Sequence, residues 1–418
     1  MTPIRGDVLG ARVALLGIAL GAFMALVSVA ADTSAQPVSD GRFAQLERGI
    51  NLSHWFAQVL GASGYTREHL LGHTTVDDAA LIKRLGFRHV RLSVDPSPMV
   101  NADSAGIVRG EYLVQLERAI KMLIAQDLAV IVDVHPTRDF KKALERDDRQ
   151  IERFAEFWHD LARHFSGLDD DRLFFEVLNE PEFEDGYRWS GVQSKLVATI
   201  RQATAKHTVI VTGRRWSTVD DLLALAPVAD SNVIYNFHFY SPHVFTHQGA
   251  VWGSTFWRYL SRVPYPSTPE NVASVAATLP DHLPRLWLLR YGHERWSPAR
   301  ITMEIEQVAA WASKHNVRVM CNEFGVYRAL ADPGDRAKWI SDVRVALERH
   351  RIGWTMWDYA GDFGLVSGQP GSRVVDASIL SALGLGRQAE LFLGGRPGPR
   401  FRGAAALPPA RSGSLGPP

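Results

Sequence analysis

FFEVLNEPEF, residues 174–183, drives an apolar run into a carboxylate and halts at a proline. Phe174, Phe175, Val177 and Leu178 read as the body of a buried strand. Asn179 and Glu180 follow, and Pro181 has no N–H with which to extend a ladder. Such a strand delivers polar side chains at its C-terminal end. Whether the pattern recurs along the chain decides the fold.

Seven further runs have the same form: RGINLSHW (48–55), FRHVRLSV (87–94), LAVIVDVH (128–135), HTVIVTG (207–213), VIYNFHFY (233–240), VRVMCNEFG (317–325) and IGWTMWDYA (352–360). Amphipathic stretches lie between them, among them EYLVQLERAIKMLIAQ (111–126), ERFAEFWHDLARHF (152–165) and RAKWISDVRVALERH (336–350). STVDDLLALA opens with a capping-box pattern, Ser217 to Asp220. Apolar strands alternating with helices indicate a parallel sheet covered by helices. Eight repeats predict closure into a (β/α)8 TIM barrel, one catalytic domain over residues 40–390. An open doubly wound sheet would carry a Gly-rich phosphate loop after its first strand, and HWFAQVLGASGY (54–65) has no G-x-G-x-x-G.

Residues 241–299 show no helical pattern of comparable quality, yet hold Phe245, Trp252, Trp257, Tyr259, Tyr265, Trp287, Tyr291 and Trp296. They are expected as a long functional loop after strand six, on the face where barrel active sites are built.

The bulk numbers narrow the function. The 418 residues are 46% hydrophobic and 22% charged, with a formal net charge of +1. That gives ample core and no field that would recruit nucleic acid. Cys321 is the single cysteine, so no intrachain disulfide forms, and it reads as a small buried hydrophobe. Residues 1–35 begin with Arg5 and Arg12, followed by an uncharged apolar run. They read as a secretory signal or, uncleaved, as a membrane anchor over residues 13–30. Both place the remainder outside the cytoplasm, secreted or periplasmic, with membrane contact only through an uncleaved leader. The Gly/Pro/Arg-rich residues 391–418 read as a disordered tail.

Taken in order, the strand ends carry His54 and Trp55, Arg91, His135, Asn179 and Glu180, Trp216, His238 and Tyr240, Glu323, and Trp357. Each alone has an ordinary structural explanation, but a suitable side chain at every end points to a site. Two carboxyl groups across one mouth suit glycoside hydrolysis. One protonates the leaving oxygen, and the other attacks the anomeric carbon or activates water. The expected partner is a polysaccharide or oligosaccharide, bound by a monomer.

NEP after strand four and NEFG after strand seven resemble glycoside hydrolase family 5, the cellulase family of clan A retaining glycosidases. GINLSHW, VRLSV, DVHP, HFY and WTMWDY extend the likeness over about residues 45–365. The resemblance implies Glu180 as acid/base and Glu323 as nucleophile. It implies that Asn179 meets the sugar 2-hydroxyl, and that Arg91 and Tyr240 keep Glu323 ionised and aimed. His238 would stand beside Glu180, His135 would line the sugar site, and Trp357 would form its platform. His54 is a further candidate sugar ligand. Trp55, Phe56, Trp216, Trp252 and Trp257 are candidates for stacking on further sugar rings, and Trp216 in TGRRWS matches a family position. Whether Trp252 and Trp257 stack on sugar or only stabilise their own loop stays open.

The expected activity is that of a secreted endo-β-1,4-glucanase. The alternatives are hydrolysis of mannan, β-1,3-glucan or a bacterial exopolysaccharide, or a non-catalytic polysaccharide-binding barrel. The last would need the aromatics but not two glutamates beside Arg91 and Tyr240. No metal or cofactor is expected, since the histidines stand on separate strands and no H-x-H occurs.

Overall fold

In the computed structural model, which describes residues 37–59, 64–100 and 106–386, the eight runs are parallel strands. They are β1 Arg48–Phe56, β2 His89–Val94, β3 Ala129–Val134, β4 Leu173–Glu176, β5 Thr208–Thr212, β6 Val233–Phe239, β7 Arg318–Phe324 and β8 Gly353–Met356. They close into a barrel in chain order, β1 pairing with β8. Helices such as Glu111–Ala125, Asp148–Phe165, Gly186–Ala203, Pro298–His315 and Pro333–Arg349 lie between successive strands. The expected leader and tail fall outside the described residues.

The strands look apolar throughout, yet their side chains alternate between two environments, as the pleat requires. Val130, Val132, Phe175, Val209, Tyr235 and Cys321 pack outward in one large core with helical residues such as Leu116, Trp158, Trp311 and Trp339. Ala129, Ile131, Phe174, Ile210, Ile234 and Met320 form a separate cluster inside, with Val38 and Leu46 of the N-terminal segment. Each such apolar side chain stabilises by roughly 1.5–3 kcal/mol on burial. This inner floor closes the barrel and leaves the positions above it for polar groups. Two outer tryptophans tie helices to strand ends: Trp158 Nε1 donates to Val177 O at 2.9 Å and Trp189 Nε1 to Thr212 O at 2.8 Å.

Gly49 in β1 is required by close approach. A Cβ there would fall 2.1 Å from His89 Nε2, which is itself hydrogen-bonded to Thr355 Oγ1 at 2.8 Å. Gly49→Ala is expected to cost about 1–3 kcal/mol by overpacking. An unchanged denaturation midpoint would show that His89 swings aside freely.

Two expectations are corrected. The segment after β6 is not a plain loop: it contains helices Pro269–Thr278 and His282–Glu294. Thr268 and Asn271 form a capping box with Pro269 in the first turn, and Asp281 caps the second helix. The hairpin is short and buries only Val272, Ala276, Pro284, Leu288, Tyr291 and Gly292, so its apolar periodicity is weak. The cap of the helix Val219–Leu223 is Thr218, not Ser217. The Thr218 side chain accepts from Asp221 N, while Ser217 is buried in a left-handed conformation with φ 53°.

Candidate active site

The inner face of the barrel has three tiers. Above the apolar floor, alternation brings Asn51, Arg91, Asp133, Glu176, Asn236 and Asn322 inward, all fully buried. Two residues further along β3 and β6 come His135 and His238, at the mouth. β7 reaches both tiers with consecutive residues. A bulge skips one residue in its pairing, so that His238 pairs with Glu323 after Phe237 pairs with Cys321. Asn322 and Glu323 therefore both face inward, to different tiers.

Arg91 is the hub. Nε and Nη2 hold Glu176 in a two-point pair at 2.8 Å each. Nη1 donates to Asn51 Oδ1 at 3.0 Å and Glu323 Oε1 at 2.7 Å. Nη2 also donates to Asn179 Oδ1 at 2.9 Å and lies 3.1 Å from Asp133 Oδ2. Burial works against the guanidinium charge, but Asp133, Glu176 and Glu323 outweigh it and raise its pKa well above the ordinary value. Burial likewise raises the Glu176 carboxyl, opposed by Arg91, while Asn236 and Asn322 donate to it at 3.0 and 2.6 Å. Burial pushes Asp133 up to about 6, with Arg91 again opposing.

Glu323 is buried and held from both sides, by Arg91 and by Tyr240 Oη at 2.9 Å. Burial and then the Glu323 charge push the Tyr240 hydroxyl well above its ordinary pKa, so it stays a donor. His238 Nδ1 lies 3.0 Å from Glu180 Oε1 and 3.5 Å from Glu323 Oε2. Burial lowers His238 to about 4, so the ring is neutral near pH 7. Donor atoms of Glu180, His238 and Glu323 all lie within 4.8 Å of one another. Among the described residues this trio could also offer ligands to a cation. The fixed charge of Arg91 beside Glu323 opposes a second positive charge there.

Glu180 is lifted to the mouth by the backbone that ends β4. Asn179 N still bonds Val134 O at 2.8 Å, but Glu180 turns into the left-handed region at φ 44°. That conformation costs a non-glycine residue about 1–2 kcal/mol. Lys141 Nζ donates to Glu180 O at 3.0 Å, and Trp216 N to Pro181 O at 3.0 Å, fixing the turn. The strand thus runs into a carboxylate and a proline because the ladder must stop where the side chain is to be exposed.

The expected residues do not all converge. Arg91, Asn179, Tyr240 and Glu323 form one hydrogen-bonded group, and the hydrogen-bonded pair Glu180 and His238 stands beside it, with His238 Nδ1 3.5 Å from Glu323. His135 joins it through Asn179, and its ring stacks against Trp357 with centroids 5.9 Å apart. His54, His135, Trp216, Trp252, Trp257 and Trp357 line a continuous cleft of about 1590 Å³ that contains both glutamates. Trp216 is 51% exposed, and Trp252 is exposed with its edge contact to Tyr327. Trp257 has one face stacked on His243, nearly parallel at 5.6 Å, and so supports its own segment.

Trp55 is a correction. It is 2% exposed, donates to Leu70 O at 2.8 Å and packs against Phe56 and His73, in the core. Phe56 is likewise buried, against Tyr112. The β1 bulge before Phe56 turns this end of the strand away from the mouth. Sequence reasoning missed Asp133, Glu176, Asn236 and Asn322. For all four the signal was present: each stands two residues beyond an inward Ile131, Phe174, Ile234 or Met320.

A family model described as Cellulase (glycosyl hydrolase family 5) matches residues 50–362, well over half the chain. Endoglucanase C of Acetivibrio thermocellus is 29% identical over 317 residues, covering 74% of this chain and 90% of that protein. Cellodextrinase A of Ruminococcus flavefaciens is 26% identical over 313 residues, covering 73% and 83%. The crystal structure of Thermotoga maritima Cel5A in complex with cellobiose, a mutant form, superposes with a TM-score of 0.67 at 25% identity, covering 82% and 97%.

Proposed function

The chain belongs to glycosyl hydrolase family 5, the cellulase family, and from that premise we propose that it cleaves β-linked glucan by double displacement. Glu323 is the nucleophile and Glu180 the acid and base. In the first step a Glu323 oxygen bonds the anomeric carbon while the bond to the leaving oxygen breaks. That oxygen takes the Glu180 proton. In the second step Glu180, now a carboxylate, takes a proton from water as the water oxygen displaces Glu323. His238 is neutral, and its Nδ1, 3.0 Å from Glu180 and 3.5 Å from Glu323, is placed to donate to Glu180 once that carboxyl has lost its proton. The named activities of the endoglucanase and cellodextrinase relatives support a β-glucan substrate. Trp216 and Trp252 offer stacking surfaces for neighbouring sugars along the cleft. The apolar leader carries the protein out of the cytoplasm to meet a polymer that cannot enter.

One observation carries the retaining mechanism: carboxylate oxygens of Glu180 and Glu323 approach within 4.8 Å. Carboxyl groups about 5–5.5 Å apart leave no room for a water between sugar and base, whereas inverting pairs stand about 6.5–9.5 Å apart. A 2-deoxy-2-fluoro cellobioside with a good leaving group is expected to label the enzyme once, on the peptide bearing Glu323. Turnover with inverted product and no adduct would overturn the mechanism.

A further inference from the structure

Asp133 is fully buried beneath the sugar site and does not itself line the cleft. It belongs to a ring of three hydrogen bonds closed by an ion pair. Arg91 Nη2 donates to Asn179 Oδ1 at 2.9 Å. Asn179 Nδ2 faces His135 Nε2 at 3.0 Å. His135 Nδ1 faces Asp133 Oδ2 at 2.9 Å, and the same oxygen lies 3.1 Å from Arg91 Nη2.

Only one assignment of protons satisfies every member. Arg91 cannot accept, so the Asn179 atom facing it is the carbonyl oxygen. The amide nitrogen then faces His135, whose Nε2 must be a bare lone pair. Gln58 Nε2, 3.1 Å from the same atom, agrees with this. The histidine proton therefore sits on Nδ1, and its partner must accept, as Asp133 does. Burial lowers His135 to about 3, so no second proton competes for Nε2.

We propose that Asp133 is a positioning residue which, through the tautomer of His135, sets the orientation of the Asn179 amide and so how a sugar hydroxyl is read. Asn179 has its carbonyl engaged by Arg91 and one N–H engaged by His135. A single N–H is left for the substrate. The hydroxyl beside Asn179, on the glycosidase reading the 2-hydroxyl of the sugar at the cleavage point, is bound as an acceptor. Removing Asp133 frees the His135 proton to move to Nε2, where it opposes the amide N–H. The amide is then caught between a donor at His135 and the donor at Arg91, and no orientation satisfies both.

The test compares an aryl β-cellobioside with the same glycoside lacking the 2-hydroxyl on the sugar bonded to the aryl group. Asp133→Ala is expected to lower kcat/KM on the full glycoside by about tenfold to hundredfold, the coupling seen within one hydrogen-bond network. On the deoxy glycoside, or in an Asn179→Ala background, that loss shrinks to about threefold or less. Asp133→Asn, whose amide oxygen can face both Arg91 and His135, restores most of the rate. An equal Asp133→Ala loss on both glycosides overturns the proposal. Long-range 1H–15N spectra of the wild-type histidines decide the ring even if Asp133→Ala fails to fold or the glycoside is not turned over. His135 is expected with its proton on Nδ1, and a proton on Nε2 overturns the assignment. Wild-type protein inert toward the full glycoside would count against the hydrolase reading, not against the ring.

Discussion

Glu323→Gln is expected to lower kcat/KM on cellobiosides by at least about 10⁴-fold, the scale of losing a catalytic nucleophile. The amide keeps the shape of the side chain. Its oxygen can accept from Arg91 and its nitrogen can face Tyr240, so the protein should fold with a near-native melting temperature. Oligosaccharide binding should persist, because the cleft aromatics are untouched. Glu180→Gln gives the contrast that separates the roles. It should cost about 10²–10⁴-fold where the leaving group needs a proton. With a dinitrophenyl glycoside the first step needs none, and a burst of dinitrophenol should remain. If Glu323→Gln keeps more than a hundredth of wild-type activity, after proof against wild-type contamination, Glu323 is not the nucleophile.

Arg91→Leu should produce the largest loss of stability. It removes the fully buried cation that Asp133, Glu176 and Glu323 share. Stranding buried carboxylates costs about 3–5 kcal/mol, because their charges keep the desolvation penalty and lose the partner. The pH dependence follows from direction. Burial already raises Asp133 to about 6 and raises Glu176, and loss of Arg91 removes the opposing influence on both. Their folded pKa values then exceed the unfolded value of about 4 by more. Such groups bind more protons folded than unfolded, so the cost is absent at low pH and grows as pH rises through the window between the two values. Urea unfolding should show a large deficit at pH 7 that narrows towards pH 4.5. A deficit that stays the same from pH 7 to pH 4.5 would mean that lost packing, not stranded charge, explains the effect.

The barrel was legible because each of eight apolar runs was short and bounded, and most were followed by an amphipathic stretch. The mouth was legible because its side chains close those runs: Glu180, His238 and Glu323 stand where the apolar character stops. The tier below was not. In a strand buried on both faces, one polar residue among hydrophobes breaks the run without marking which face it serves. Glu176 between Phe175 and Val177 looks like an interruption until the inward set Phe174–Glu176 is separated from the outward one. Trp55 misled for a related reason, since proximity to a strand end says nothing of direction once a bulge intervenes. The hairpin after β6 was missed because its two helices, Pro269–Thr278 and His282–Glu294, bury too few side chains to show a period.

A regular strand can offer the interior one group per two residues, about 6.6 Å of travel. The irregular pairing in β7 lets neighbours 322 and 323 reach the brace and the mouth within half that distance. The inward aim of the Glu323 carboxylate is thus stored first in how the main chain counts, before Arg91 and Tyr240 hold it. Transplanting Asn-Glu-Phe onto an evenly paired stave would carry over every functional group and still turn the acid outward, into the surrounding helices.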